Sequence, residues 1–168
     1  MITSNINLGK DVFIEKTSSI NNVSIGDKTK IAGHVKVFGS ENNLLIIGKD
    51  CYIGMNSVLE GFNGKVTIGN HVSFAQNVNL ISSSGPNASK KFQNIFPIIK
   101  GDISIGDHSW IGANAVIMPN TVLGEFCIVA ANSFVNSSFP DYTIVGGSPA
   151  KKIRSLSSDE IKKLKGND

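Results

Sequence analysis

A chain of 168 residues fits one domain, and its 40% hydrophobic content is enough to supply a core. Only 17% of residues are charged, low for a helical protein, and a formal charge of +3, with much of the excess after residue 150, offers no basic face for nucleic acid. No apolar run approaches a membrane span, and the N-terminus lacks the charged-then-apolar build of a signal peptide, so the expected location is cytoplasmic.

From the N-terminus onward an aliphatic or aromatic residue returns at six-residue spacing. Leu8, Ile14 and Ile20 begin the series, followed by Ile25, Ile31 and Val37, then Ile47, Ile53 and Leu59, then Ile68, Phe74 and Leu80. It resumes with Ile105, Ile111 and Ile117 and ends with Leu123, Val129 and Val135; Ile99 reads as one further beat upstream. A helix repeats at 3.6 residues and a strand at 2. Six is a multiple of two, so short strands fit if the chain bends once per repeat. Gly, Asp, Asn and Pro between the beats supply the bends, followed by small residues such as Ser109, Ala115, Thr121, Cys127 and Ser133. Grouped in threes, the beats predict six turns of a triangular parallel β-helix, about 29 Å tall at about 4.8 Å per turn.

Small slips at "FGSENNLLII" and "EGFNGKVT" read as corner insertions. One interruption is larger. Residues 81–102, "ISSSGPNASKKFQNIFPIIKGD", form an extruded loop, and a long aperiodic loop in so regular a chain is usually functional. After Val135 the beat stops, and "GGSPAKKIRSLSSDEIKKLKGND" carries a capping box, Ser157-x-x-Glu160, ahead of a short helix. The expected division is a β-helix domain over residues 1–150 and a C-terminal tail over 151–168. Cys51 and Cys127 fall in the small-residue slot and read as buried thiols, with neither disulfide nor metal spacing.

Stacking converts spacing into neighbourhood. Asp11, Lys28, Asp50, His71, His108 and Phe126 form one corner column, and Thr17, His34, Asn56, Asn77, Asn114 and Asn132 a second. Asn tolerates left-handed corners and can bond along the stack. His71 and His108 occupy adjacent rungs, where each imidazole disfavours the other's cation, and a neutral imidazole suits a general base. Both also read as plain solvated corner residues. A metal site is not expected: His34 lies about two rungs from His71, roughly 10 Å, against zinc bonds near 2.1 Å.

The repeat, the segment "IGDHSWIGANAVIMP" and the ending "VGGSPAKKIR" resemble the hexapeptide-repeat acyltransferases. The likeness covers roughly residues 5–155 and is strongest to the sugar O-acetyltransferases of the galactoside and maltose type, including bacterial surface-polysaccharide enzymes. It implies an all-β, left-handed parallel β-helix, a homotrimer, and acetyl-CoA as co-substrate in a groove between subunits. It implies an acceptor that is a sugar, nucleotide-sugar or glycan, and no metal, membrane insertion or nucleic-acid partner. By this resemblance Trp110 lies beside the active site, Gly112 and Ala130 face the pantetheine arm, and Lys151 and Arg154 approach the nucleotide phosphates. Acceptor contacts are expected from Asn56, Glu60, Ser84, Gly85, Asn87 and Trp110.

One departure stands out. The family carries a catalytic histidine in the long loop, where this chain has Pro86 after Gly85 and no histidine at all. Ser137 also replaces a family lysine. Three readings follow: His71, or with less support His108, serves as the base; the acceptor is an amine that needs less help; or the chain is an inactive trimeric scaffold. Backbone amides of the 82–87 segment are candidate oxyanion donors.

Overall fold

The computed structural model describes residues 4–166, so the outermost ends of the two expected segments, 1–3 and 167–168, lie outside the described residues. Three parallel sheets stack side by side as the faces of a prism. The first face takes the strands Ile6–Leu8, Val23–Ile25, Leu45–Ile47, Val66–Ile68, Ile103–Ile105 and Thr121–Leu123. The second takes Phe13–Ile14, Lys30–Ile31, Tyr52–Ile53, Ser73–Phe74, Trp110–Ile111 and Ile128–Val129. The third takes Ser19–Asn21, Lys36–Phe38, Val58–Glu60, Asn79–Ile81, Val116–Ile117 and Phe134–Val135.

The six-residue beat points inward. From Ile25 to Val135 every beat residue of these five coils is buried, and together they form one continuous core. The first coil is the exception. Leu8 is exposed and Ile14 and Ile20 only partly buried, because no coil is stacked beneath them among the described residues. Ile99 is no beat residue: it sits exposed in the long loop.

Corners explain the small residues. Thr29 Oγ1 donates to the Gly48 carbonyl (2.8 Å) and accepts from Cys51 N–H (3.0 Å); Ser109 Oγ does the same with Gly124 O (3.0 Å) and Cys127 N–H (3.1 Å). Each buried hydroxyl thereby stitches its own coil to the next and satisfies backbone groups that water cannot reach. Gly106 illustrates the cost of close stacking, since a Cβ there would lie 2.5 Å from Glu125 N. Both corner columns adopt left-handed backbone, with φ of 56° at His71, 59° at His108, 59° at Asn56 and 59° at Asn114. Thr17 departs from its column, because it is not among the positive-φ residues; its N–H and hydroxyl both turn to the Glu15 carboxylate. The Asn ladder bonds along the stack at one step, Asn114 Nδ2 to Asn132 Oδ1 (3.1 Å).

All the insertions, including the long loop, leave from the third corner, between the third and first faces. The coil also runs further than the beat suggested. Thr143–Gly147 adds a parallel strand to the second face, then turns back as Ala150–Ser155 in an antiparallel hairpin, so the expected boundary at residue 150 falls at its second strand. Helix α1 (Lys90–Gln93) lies in the long loop, and α2 (Ser158–Lys165) follows the hairpin.

Candidate active site

At the first corner four rings stack in parallel. His71 and His108 have centroids 4.7 Å apart and planes within 6°, His108 and Phe126 4.6 Å and 6°, and Phe126 and Tyr142 5.3 Å and 11°. Left-handed backbone at each rung aims each side chain out along the same line. The adjoining acid is Asp107, which accepts from Asn70 N–H (2.8 Å) and Nδ2 (3.1 Å). Partial burial works to raise its carboxyl, but the Asn70 bonds and the neighbouring His108 and His71 outweigh this and hold it below the ordinary aspartate value. Tyr142 was not legible as part of this ladder. The signal was present, since Asp141-Tyr142-Thr143 replays the acid-aromatic-small order of Glu125-Phe126-Cys127.

Beside the ladder, on the outer side of the second face, Trp110 is exposed and faces a groove of about 340 Å³. His108, Phe126 and Ile128 line one side; Leu156, Glu160 and Leu164 close the other. Helix α2 therefore lies beside its own chain's second face, across this groove. Glu160 holds it there. Its carboxylate takes Arg154 in two bonds (2.7 and 2.9 Å) and accepts from Ser157 N–H (2.6 Å), while Ser157 Oγ accepts from Glu160 N–H (3.2 Å). The Arg154 bonds and the Ser157 N–H bring the Glu160 carboxyl down to about 2, and the pair raises Arg154 in turn. Arg154 is thus paired within the chain, with its side chain half exposed. Lys151 and Lys152 are exposed and make no ion pair among the described residues.

Gly112 and Ala130 occupy equivalent positions just after the second-face strands. Their N–H groups already donate to Val129 O and Val145 O (both 2.8 Å), so neither is a free donor, and Gly112 is buried while Ala130 is partly buried. Asn56 sits at the second corner, exposed.

The third corner holds the rest. Glu60 accepts from the Ser82 hydroxyl (3.1 and 3.2 Å) and Ser82 N–H (3.0 Å), which anchors the mouth of the loop. Ser83 and Ser84 then pair antiparallel with Lys100 and Ile99, so the loop has a short stalk. Gly85 is required by close approach, because a Cβ would lie 2.8 Å from Ile98 Cα. Asn87 N–H returns to Gly85 O (2.9 Å), and Gln93 Nε2 ties Pro86 O (3.0 Å) and Asn87 O (3.2 Å). Of the candidate oxyanion amides, those of Ser82 and Asn87 are already occupied. The tip exposes Phe92, Ile95 and Phe96.

Within one chain, then, the expected site residues fall into separate groups. His71, His108 and Trp110 come together at the first corner and second face, Asn56 with Gly112 and Ala130 near the second corner, and Glu60, Ser84, Gly85 and Asn87 at the third. Cys51 and Cys127 are buried and free, with burial pushing both thiols up, and neither joins any group. No cluster of metal-ligating side chains occurs among the described residues.

Residues 102–137 match the bacterial transferase hexapeptide (six repeats) family, and residues 44–72 match the hexapeptide repeat of succinyl-transferase. The chain is 34% identical over 132 residues to a "Probable macrolide acetyltransferase" of Lysinibacillus sphaericus, covering 77% of this chain and 68% of that one. This chain belongs to the hexapeptide-repeat acyltransferases. It is also 29% identical over 121 residues to the galactoside O-acetyltransferase of Escherichia coli, covering 71% of this chain but only 58% of that relative. Among solved structures, AntD, an N-acyltransferase from Bacillus cereus in complex with dTDP and 3-hydroxybutyryl-CoA, superposes with a TM-score of 0.80 at 26% identity, covering 94% of this chain and 86% of that one. A variant of AntD was solved with dTDP-4-amino-4,6-dideoxyglucose and Coenzyme A. The left-handed parallel β-helix expected from the sequence is the fold of this family. No helix among the described residues is long and apolar enough to cross a membrane.

Proposed function

We propose that this protein transfers an acetyl group from acetyl-CoA to the amino group of a sugar. The observation that carries this reading is the chemistry of the long loop: residues 82–101 contain no His, Asp or Glu. The imidazoles of His71 and His108 stand one corner away and are stacked face to face in a ladder. A hydroxyl acceptor needs a base to remove its proton as it attacks. A neutral amine does not. Its lone pair attacks the thioester carbonyl, the C–N bond forms as the C–S bond breaks, and the departing thiolate takes up the proton that the new ammonium sheds. AntD, a relative in fold and sequence, is an N-acyltransferase and accommodates a dTDP-linked amino-sugar.

The working unit in this reading is a homotrimer. The separation of loop and Trp110 on different corners, together with exposed Phe92, Ile95 and Phe96 on the loop, supports a site completed by a neighbouring copy. Exposed Lys151 supports a donor groove near the hairpin, where a cation meets CoA phosphates. The likeness to galactoside O-acetyltransferase supports a sugar acceptor, and a cell-surface glycan is the broader setting.

A second reading keeps a hydroxyl acceptor and makes His71 the base; the exposure of His71 favours this one. Thiol release from acetyl-CoA with matched sugar and amino-sugar pairs tests both. The amine reading expects turnover only with amino-sugars, a pH limb that follows the acceptor's amine, and near-normal rates in His71→Phe, which retains a ring in the ladder. Loss of about 10²–10⁴ in turnover in that variant, with light scattering and CoA binding unchanged, would instead establish His71 as the base. Absence of thiol release with every acceptor would leave the scaffold reading.

A further inference from the structure

The outward positions of the second face form a straight column. Phe13 pairs directly with Lys30, Lys30 with Tyr52, Tyr52 with Ser73 and Ser73 with Trp110. No register shift interrupts these steps, so the side chains line up along the prism axis instead of drifting sideways as in a twisted sheet. Within one chain the three aromatic residues are exposed, Phe13 58%, Tyr52 46% and Trp110 55%. They occupy alternate rungs, about 10 Å apart, with an ammonium and a hydroxyl between them.

This alternation separates the column from a simple greasy patch. A pyranose presents an apolar C–H face, which stacks on an aromatic ring, and a rim of hydroxyls, which seek polar partners. A two-rung step is close to the length of a disaccharide unit. A linear glycan laid along the column would set every second sugar over a ring and offer the intervening hydroxyls to Lys30 and Ser73. The column is continuous with the candidate site, because Trp110 belongs to both. Past Trp110 the track ends: Ile128 lies in the groove closed by α2.

Resting on the amino-sugar reading above, we propose that the acceptor is the end of a linear glycan rather than a free or nucleotide-linked monosaccharide, and that Phe13, Tyr52 and Trp110 form its track.

The test uses the intact protein and acetyl-CoA, with glucosamine, chitosan oligomers from dimer to hexamer, and a dTDP-linked 4-amino sugar as acceptors. KM should fall with chain length until the track is filled. Phe13→Ala and Tyr52→Ala should each raise KM for the hexamer about 2- to 12-fold, the range for a lost aromatic stack. Neither should alter KM for glucosamine or CoA. Quenching of the single tryptophan by the fully acetylated chitin hexamer reads the track without turnover, and Tyr52→Ala should weaken it. A KM independent of length, or preference for the dTDP-linked sugar over every oligomer, overturns the proposal while leaving N-acetyl transfer intact. Binding of the chitin hexamer without turnover of any amine does the reverse. A changed oligomeric state in Phe13→Ala or Tyr52→Ala makes the column a subunit contact and overturns it as well.

Discussion

Replacing His108 separates backbone strain from ring stacking. Its ring is sandwiched between His71 at 4.7 Å and Phe126 at 4.6 Å, and its φ is 59°. An aromatic contact contributes about 0.5–1.5 kcal/mol, and for a solvent-exposed ring the lower end applies, so two contacts amount to about 1 kcal/mol. The left-handed backbone costs an L-residue roughly 1–2 kcal/mol, which glycine escapes and alanine does not. His108→Ala is therefore expected to lower stability by about 1–2 kcal/mol, since it loses the stacks and tolerates the corner less well than histidine. His108→Gly should come within about 0.5 kcal/mol of the parent, its relief of strain offsetting the lost rings. His108→Phe should match the parent or exceed it. Urea unfolding at pH 7.5 measures all three, compared at unchanged m so that midpoints report stability. Equal losses for Ala and Gly would show that corner strain is not the controlling quantity. A loss under about 0.3 kcal/mol for Ala would show that the ladder contributes nothing.

Trp110→Ala should reduce kcat/KM without changing the far-ultraviolet spectrum or the melting temperature, because its side chain projects from the prism; altered light scattering with normal chemistry would place it in a subunit contact instead. Lys151→Ala should weaken CoA about 3- to 10-fold and hardly affect dephospho-CoA, as expected for one partly solvated charge contact; equal loss for both donors would move that contact to the pyrophosphate. In Gly85→Ala the new methyl meets Ile98 backbone, so acceptor KM should rise while CoA binding holds, measured by steady-state kinetics and calorimetry. Glu160 is depressed to about 2 from 4.5, so its contribution to holding α2 is fully present above pH 4.5 and is lost only as pH falls through about 2. Amide exchange in residues 158–165 should stay protected at pH 4 in the parent and be fast in Glu160→Ala.

Most of the prism was legible in the sequence because its energetics are local and repeated. Ile25, Ile31 and Val37 recur at a six-residue spacing that inward-facing strands satisfy, and each is sealed. His71 and His108 became neighbours by counting residues, since each corner restarts the same count. The count fails where a residue's partner is not one coil away. Arg154 reads as a cation for the nucleotide phosphates, yet Glu160 six residues on pairs with it where the chain turns from the hairpin into α2, a turn that no periodicity encodes. Ile99 keeps the beat by coincidence, and only the stalk made with Ser84 removes it from the core. Which candidates share a face is likewise a tertiary matter. Glu60 and Asn56 lie four residues apart, but a strand carries the chain between two corners of the prism, so closeness in sequence places them on different edges. Phe13, Tyr52 and Trp110 lie far apart along the chain, and stacking of the coils alone draws them into one line.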